Sequence, residues 1–152
     1  GLDIRKPGLN KVFNIHKKEH GITQYLTNTT ANLMDFVQPS DINKNLFILP
    51  GGTVPPNPTE LLGSKKFDDI LHDLKRIFDY IILDATPING LSDALVLTKN
   101  ANEVVIVCKY GKTDLGDLEE CKKALLNADA KIAGVVINSM PKTKNKYGYY
   151  TE

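Results

Sequence analysis

Three short runs of the chain are apolar at every position, and this pattern constrains the fold more than any other feature. The runs are residues 80–83, 104–108 and 132–137, and a shorter one, residues 46–49, comes before them. A strand with one face in water alternates apolar and polar side chains, whereas a strand buried on both faces does not. We therefore expect these runs to be strands of a parallel sheet.

Helical patterns lie between the apolar runs. Apolar residues recur with the spacing of one helix face in residues 67–78 and again in residues 115–125. Ser64 and Thr113 stand where these two helices would begin and are predicted N-caps, and a short helix is expected near residues 21–26. The alternation of strands and helices predicts an α/β domain, with a parallel sheet, helices on both of its faces and right-handed crossovers.

Composition excludes several classes of protein. The chain has 152 residues, 19 of them basic and 18 acidic, so its formal net charge of +1 gives no overall field that would recruit nucleic acid. Two cysteines, Cys108 and Cys121, are too few for a disulfide framework and fit a reducing compartment. No apolar run approaches the roughly 20 residues of a membrane helix. We therefore expect a soluble, cytoplasmic domain.

Two acidic positions follow strand-like runs. Asp84 comes directly after residues 80–83, and Asp3 with Arg5 stands at the end of what reads as another strand. Ligands bind at the carboxyl ends of strands in open α/β sheets, and carboxylate oxygens suit Mg²⁺. The sequence thus predicts a shared cation site, although Asp84 as a turn residue or N-cap and Asp3 with Arg5 as a surface ion pair are simpler alternatives.

A phosphate-binding loop is the next feature to look for. Gly111-Lys112-Thr113 follows a strand and precedes a helix, but the loop needs a glycine five positions before Gly111, where the chain has Ile106. We interpret this tripeptide as a turn, and no other stretch of the chain fits the pattern. Residues 1–7 read as the end of a strand entering a loop, so we expect a further segment upstream of Gly1.

Three other features stand out near loops and the tail. Residues 55–62 form a proline-rich string, interpreted as a structured crossover loop that leads into a helix near Thr59. Asn138 ends the last strand, where an amide reads a base edge or caps a turn. Tyr147, Tyr149 and Tyr150, three of the six tyrosines, close the chain beside several lysines. Tyrosines in a polar tail have no core to join, so they pack on a partner, act through their hydroxyls, or belong to a disordered tail.

Taken together, these strings resemble the catalytic domain of the bacterial tyrosine autokinases of capsule and exopolysaccharide synthesis, which are deviant-Walker relatives of the P-loop NTPases. Residues 2–7 are similar to that family's Walker A′ motif, residues 51–62 to its glycine-led PPNP loop, and residues 78–84 to its Walker B strand. Ser92-Asp93-Ala94 is similar to the turn that follows, and the closing tyrosines to the autophosphorylated cluster.

The chain also departs from the family pattern. Gly1 stands where the first Walker A′ aspartate would fall, and Ala85-Thr86-Pro87 stands where threonine and two prolines are usual. The resemblance implies that residues 1–140 are a partial catalytic domain, truncated before its Walker A loop, and that residues 141–152 are a flexible tail. Such a piece is expected to be inactive alone, because phosphoryl transfer depends on positioning the nucleotide.

The resemblance also implies roles for individual residues and a set of ligands. Asp3 would hold Mg²⁺ and take the proton of the incoming tyrosine, Asp84 would bind the metal through water, and Arg5 would lie by the site. Asn138 would contact the adenine of ATP. The three tail tyrosines, Tyr147, Tyr149 and Tyr150, would accept phosphoryl groups from a neighbouring subunit.

The implied partners are a membrane polysaccharide co-polymerase adaptor, fused or separate, together with neighbouring kinase subunits and a tyrosine phosphatase, at the inner face of the bacterial cell membrane. Nucleic acid is not among them. Two alternatives stay open from the sequence: a nucleotide-driven switch of the ParA and MinD kind, and a non-catalytic regulatory module of polysaccharide export. The PPNP loop and the tyrosine tail argue against the first, and the missing loop leaves the second open.

Overall fold

The computed structural model describes residues 1–15, 20–28, 30–88 and 92–141. Six α-helices, one 3₁₀ helix and four strands are found in this part of the chain. In chain order they are α1 (Leu9–Val12), α2 (Ile22–Thr27), the 3₁₀ helix (Leu33–Phe36), β1 (Gln38–Pro39), β2 (Phe47–Ile48), α3 (Pro58–Leu62), α4 (Lys65–Leu74), α5 (Asp93–Thr98), β3 (Val104–Lys109), α6 (Leu115–Asn127) and β4 (Ile132–Asn138).

The parallel pair β3–β4 confirms two of the four predicted parallel strands. Its register runs from Val104 opposite Ile132 to Lys109 opposite Asn138, with one irregularity after Val104. Ile106 of β3 packs with Leu125 of α6 in a small apolar cluster, to which both cysteines also belong. Because α6 connects two parallel strands and covers one face of the pair, the α/β class is confirmed.

The other two predicted strands differ from expectation. Residues 46–49 contribute only β2, which pairs antiparallel with β1 and not with the parallel pair. Residues 80–83 form no strand, since within the described residues no neighbouring strand hydrogen-bonds along them. Their side chains nevertheless alternate: Tyr80 and Ile82 are 90% and 89% exposed, whereas Ile81 and Leu83 pack on the core. The prediction of a fully buried strand at residues 80–83 is therefore wrong for this structure.

The cap and the buried face of α4 explain why this part of the sequence forms a helix. The Ser64 hydroxyl accepts a hydrogen bond from the Phe67 amide and caps the first turn, as predicted. Phe67 and Ile70 belong to the buried face of this helix, but Ile77 lies beyond its end and is 55% exposed. The second predicted cap was wrong: α6 begins after Asp114, and the Thr113 hydroxyl instead accepts from the Lys109 amide.

The first and larger core joins the beginning of the chain to α2, α4 and α5. Leu2 and Ile4 are buried there against residues such as Phe67 and Leu97. The burial of Leu2 and Ile4 anchors the segment that carries Asp3 and Arg5 to the rest of the domain. Among the described residues, no helix combines the length and the apolar character that crossing a membrane requires.

Candidate active site

Asp3 and Asp84 are brought together by two backbone hydrogen bonds. The amides of Leu2 and Asp3 donate to the carbonyl oxygen of Asp84, at 2.7 and 3.0 Å. Asp3 is half-buried and Asp84 is exposed, so the buried neighbours Leu2 and Ile4 fix the segment and leave the carboxylates accessible. The predicted proximity of the two aspartates is thus found, at the level of the backbone.

The Asp3 carboxylate is oriented by its own turn. The Lys6 amide donates to Asp3 Oδ1 at 2.9 Å, which closes a short loop over residues 3–6. One carboxylate oxygen is therefore engaged by the backbone, and a carboxylate has further acceptor capacity on its second oxygen. A turn of this kind fixes the direction of the Asp3 side chain.

Arg5 makes a two-pronged contact with a buried carboxylate. Its Nε donates to Asp93 Oδ2 at 2.5 Å and its Nη2 to Asp93 Oδ1 at 3.0 Å. The hydroxyl of Thr59 also donates to Asp93 Oδ1, and Arg5 Nη2 lies 3.4 Å from the same hydroxyl oxygen. Asp93 is 0% exposed, whereas the Arg5 side chain is 37% exposed. The arginine thus reaches inward from a half-exposed position to a carboxylate in the core.

The electrostatics of this cluster follow from its hydrogen bonds. The Arg5 guanidinium, and after it the Thr59 hydroxyl, lower the pKa of Asp93 because both donate to its charged form, against the opposing effect of burial. The Asp93 carboxylate in turn raises the pKa of Arg5. Asp93 is therefore a buried anion that stays charged because it has partners.

The start of the glycine-led loop, together with Pro50 before it, lies against the first turn of α2. The Ile22 amide donates to the Pro50 carbonyl at 2.8 Å, and the Thr23 hydroxyl donates to the Gly51 carbonyl at 2.8 Å. Gly52 has φ +82°, a left-handed conformation that favours glycine. A side chain on Gly21 would overlap the backbone of this loop, so the two segments approach as closely as glycines allow.

The proline-rich string is a structured connection, as the sequence indicated. Pro58 occupies the first turn of α3, where its missing amide hydrogen has no helical partner to lose. Asn57 Nδ2 donates to Glu60 Oε2 at 2.7 Å across that turn. Thr59 lies in the same turn and its hydroxyl donates to Asp93. The proline-rich string therefore also supports the ion pair between Arg5 and Asp93.

Asn138 lies at the carboxyl end of β4 but is engaged by its own turn. Its Oδ1 accepts from the Ser139 amide at 2.7 Å, and its carbonyl accepts from the Tyr110 amide at 2.9 Å. No hydrogen bond within the described part of the chain joins Asn138 to Asp3 or Asp84. The geometry therefore matches the turn-capping alternative, and the adenine contact stays a prediction.

The carboxylates of Asp3 and Asp84 are oxygen donors of the kind that Mg²⁺ binds. In residues 1–15, 20–28, 30–88 and 92–141, no three acidic, histidine or cysteine side chains converge on one point. Mg²⁺ typically takes one or two carboxylates and keeps several waters, and Asp3 with Asp84 would provide two. Tyr147, Tyr149 and Tyr150 lie outside the described residues, as do the lysines beside them.

Sequence reasoning did not assign a role to Asp93 or Thr59. Asp93 belongs to a recognised motif, Ser92-Asp93-Ala94, but a sequence does not show that an aspartate is buried. Charge could have indicated the ion pair, because Arg5 requires an acidic partner. Asp93, which begins an apolar helix, was one candidate for that partner. Which of the chain's acidic residues met Arg5 was decided by the packing of α5.

Comparisons with known proteins give a consistent result. The chain is 35% identical over 148 residues to the tyrosine-protein kinase CpsD of Streptococcus pneumoniae, covering 97% of this chain and 64% of that protein. It thus spans just under two thirds of this relative's length. No family model matches the chain.

Solved structures agree with the sequence comparison. The kinase domain of VpsO superposes with a TM-score of 0.84 at 32% identity, covering 92% of this chain and 68% of that one. The chimerical protein CapA2B2 superposes with a TM-score of 0.86 at 30% identity, covering 93% of this chain and 61% of that one. The arrangement of elements described above is therefore shared over nearly the whole chain.

Proposed function

The chain belongs to the bacterial tyrosine kinases, and from this premise we propose that it forms the later part of the catalytic domain of an ATP-dependent tyrosine autokinase that regulates capsule or exopolysaccharide synthesis. The observation that carries the proposal is the pairing of the Leu2 and Asp3 amides with the Asp84 carbonyl, because it brings the backbones of the two aspartates together. Relatives named as tyrosine kinases support the reaction type.

In this proposal the chain supplies the metal-binding side of the reaction. Asp3 and Asp84 would hold Mg²⁺, and the bound ion would neutralise charge on the transferring phosphoryl group. Asp3, whose Oδ1 is oriented by the Lys6 amide, would accept the tyrosine proton on its second oxygen. Asn138 would contact adenine through its amide NH₂, since its Oδ1 already accepts from Ser139.

The phosphates of ATP would be held by residues outside this chain. No stretch of the sequence has the glycine and lysine spacing of a phosphate-binding loop. We place that loop in the part of the relatives' length that the chain does not span. Residues 1–140 would then be a partial catalytic domain that needs this loop for activity.

The tail and the partners complete the proposal. Tyr147, Tyr149 and Tyr150 would be the acceptors, reached by the active site of a neighbouring subunit, and a tyrosine phosphatase would reverse the modification. A polysaccharide co-polymerase adaptor would hold the kinase at the inner face of the cell membrane.

The test compares Asp84→Asn with the unchanged sequence in the full-length protein that contains this chain. The amide keeps the side-chain volume but loses the charge that attracts Mg²⁺, so we expect phosphotyrosine formation to fall by at least about 100-fold, roughly 2.7 kcal/mol of barrier. In the unchanged protein, mass spectrometry after incubation with ATP and Mg²⁺ should place phosphate on the three tail tyrosines.

Asp73→Asn is the matched control, because Asp73 is an exposed aspartate of α4 that lies outside residues 78–84. It should leave phosphotyrosine formation unchanged. If Asp84→Asn kept near-normal activity, Asp84 would be the turn residue of the simpler interpretation. If the unchanged full-length protein formed no phosphotyrosine at all, a non-catalytic module of polysaccharide export would replace the kinase.

A further inference from the structure

Three segments that are far apart in the sequence meet at one buried ion pair. Arg5 lies two residues after Asp3, Thr59 lies in the first turn of α3, and Asp93 is the first residue of α5. All three are joined through the two oxygens of the Asp93 carboxylate. We call the side chains of Arg5, Thr59 and Asp93 the Arg5 latch.

The latch is connected to Asp3 by geometry. Arg5 lies inside the loop that the Lys6 amide closes on Asp3 Oδ1, so any displacement of Arg5 moves that loop. A guanidinium that binds a carboxylate with two parallel hydrogen bonds is fixed in direction as well as in distance. Since Asp93 is 0% exposed, its own position is set by the core.

Arg5 is also poorly placed to act on phosphate itself. Its Nε and Nη2 are both directed at Asp93, and the ion pair neutralises its charge. An arginine that stabilises a transferring phosphoryl group needs its fork and its charge for that group. Holding Asp93 and clamping phosphate are therefore competing uses of the same side chain.

We propose that the Arg5 latch sets the position of the Asp3 carboxylate relative to Asp84, and that Arg5 and Asp93 are positioning residues for the metal site. This inference rests on the proposed function for the identity of the metal, Mg²⁺. The position of the loop itself depends only on the residues of this chain. Thr59 contributes because its hydroxyl orients the Asp93 oxygen that Arg5 Nη2 also contacts.

The first test measures amide hydrogen exchange in the full chain and needs no metal. Replacing Asp93 by Asn removes the charge, so the amides of Leu2, Asp3 and Lys6 should exchange about tenfold faster as the loop opens locally. The control is Lys99→Met, which removes a salt bridge at the other end of α5, that of Lys99 with Asp68 at 3.2 Å, and should leave these amides unchanged. Unchanged exchange at these amides in Asp93→Asn would overturn the proposal.

The second test measures how autophosphorylation of the full-length protein depends on Mg²⁺ concentration. Partners that orient metal ligands typically change metal affinity by about 10- to 100-fold when removed. Asp93→Asn should therefore raise the Mg²⁺ concentration for half-maximal rate by at least about tenfold, with the rate largely recovered at saturating Mg²⁺. Arg5→Lys, which keeps the charge and loses the fork, should show a smaller shift in the same direction.

The outcomes separate the two proposals. A loss of activity that saturating Mg²⁺ does not recover would assign Arg5 and Asp93 to the chemical step and overturn the latch. A normal Mg²⁺ dependence of Asp93→Asn beside an inactive Asp84→Asn would remove the latch and leave the kinase proposal intact. Should Asp93→Asn fail to fold, Thr59→Val removes one hydroxyl from the same carboxylate and is expected to give a weaker shift in both measurements.

Discussion

At the scale of single residues, three aspartates illustrate how environment separates roles. Asp84 is exposed, Asp3 is half-buried in a turn, and Asp93 is fully buried beside Arg5. Burying a carboxylate is costly unless it is paired and hydrogen-bonded, and Asp93 is both. Asp84 and the free oxygen of Asp3 are therefore accessible to a ligand, whereas Asp93 is held by its partners in the core.

The lowered pKa of Asp93 predicts how stability depends on pH. Because its pKa is lower in the folded chain than in the unfolded one, its stabilising contribution is complete above the unfolded pKa, about 3.9. The contribution is then lost as pH falls through the folded value. Removing the charge with Asp93→Asn should cost about 2 kcal/mol at neutral pH, the scale of hydrogen bonds to a charged group.

Urea unfolding at several pH values between 3 and 7 checks this prediction. The stability difference between the unchanged chain and Asp93→Asn should be constant from pH 7 to pH 5 and shrink below about pH 4. The charged group that acts on Asp93 is Arg5. The charged groups that act on Arg5 are Asp93 and Asp3. A difference that stayed constant down to pH 3 would mean that the Asp93 carboxylate is not stabilised by Arg5.

At the scale of elements, close backbone contacts hold the glycine-led loop. The first turn of α2 donates to the carbonyls of Pro50 and Gly51, and Gly21 lies directly against Gly52. In the last turn of α2, the carbonyl of Tyr25 accepts from Lys66 Nζ of α4 at 2.6 Å, and this Nζ lies over the Tyr25 ring. Helix α2 is therefore tied to the loop at one end and to α4 at the other.

Gly21→Ala is predicted to be destabilising although the backbone there is extended and admits any residue. A methyl group would overlap the Gly52 nitrogen and the Pro50 carbonyl oxygen, which are backbone atoms and yield only if the loop moves. Overpacking of this kind costs about 1–3 kcal/mol. The cost is measured as a lower midpoint of urea unfolding, with the slope m of the free energy of unfolding against urea concentration unchanged.

Gly116→Ala is the matched control for this prediction. Gly116 lies in α6, and nothing stands within 4 Å of the position that its methyl group would take. Because alanine is a better helix former than glycine, this variant should be stabilised by about 0.5 kcal/mol. Equal effects of the two substitutions would show that the contact between α2 and the loop is looser than described.

At the scale of the whole molecule, two apolar cores carry different parts of the proposed site. The larger core fixes Asp3, Arg5 and Asp93, and the smaller one supports the β3–β4 pair that ends at Asn138. Neither part of the sequence provides a glycine cradle with a following lysine. We therefore expect the chain to form the proposed metal-binding part of the site but to bind a nucleotide weakly.

This expectation predicts weak nucleotide binding by the 152-residue chain alone. Calorimetric titration with ATP and Mg²⁺ should give a dissociation constant above about 1 mM, or roughly −4 kcal/mol. The full-length protein, titrated under the same conditions, is the control and should bind more tightly. A low-micromolar constant for the chain alone, roughly −8 kcal/mol, would place the phosphate site within these residues.

Local patterns in the sequence were sufficient for much of the fold. Apolar runs predicted β3 and β4, the spacing of apolar residues predicted α4 and α6, and Ser64 was identified as a cap. The strand-end positions of Asp3 and Asp84 also predicted that these residues lie together. The strands, helices and cap depend on neighbours in the chain, which a sequence displays directly. The approach of Asp3 to Asp84 was instead expected from the shared edge of a sheet, where ligands bind in open α/β folds.

Other features were decided only by the tertiary structure. Residues 80–83 are as apolar as a buried strand, yet in this structure Tyr80 and Ile82 are exposed, because a strand exists only where another strand offers hydrogen bonds. The partner of Arg5 lies 88 positions away in the chain, at Asp93. Periodicity records which face of an element is buried. It does not record which distant side chain meets that face, since this depends on how the elements pack.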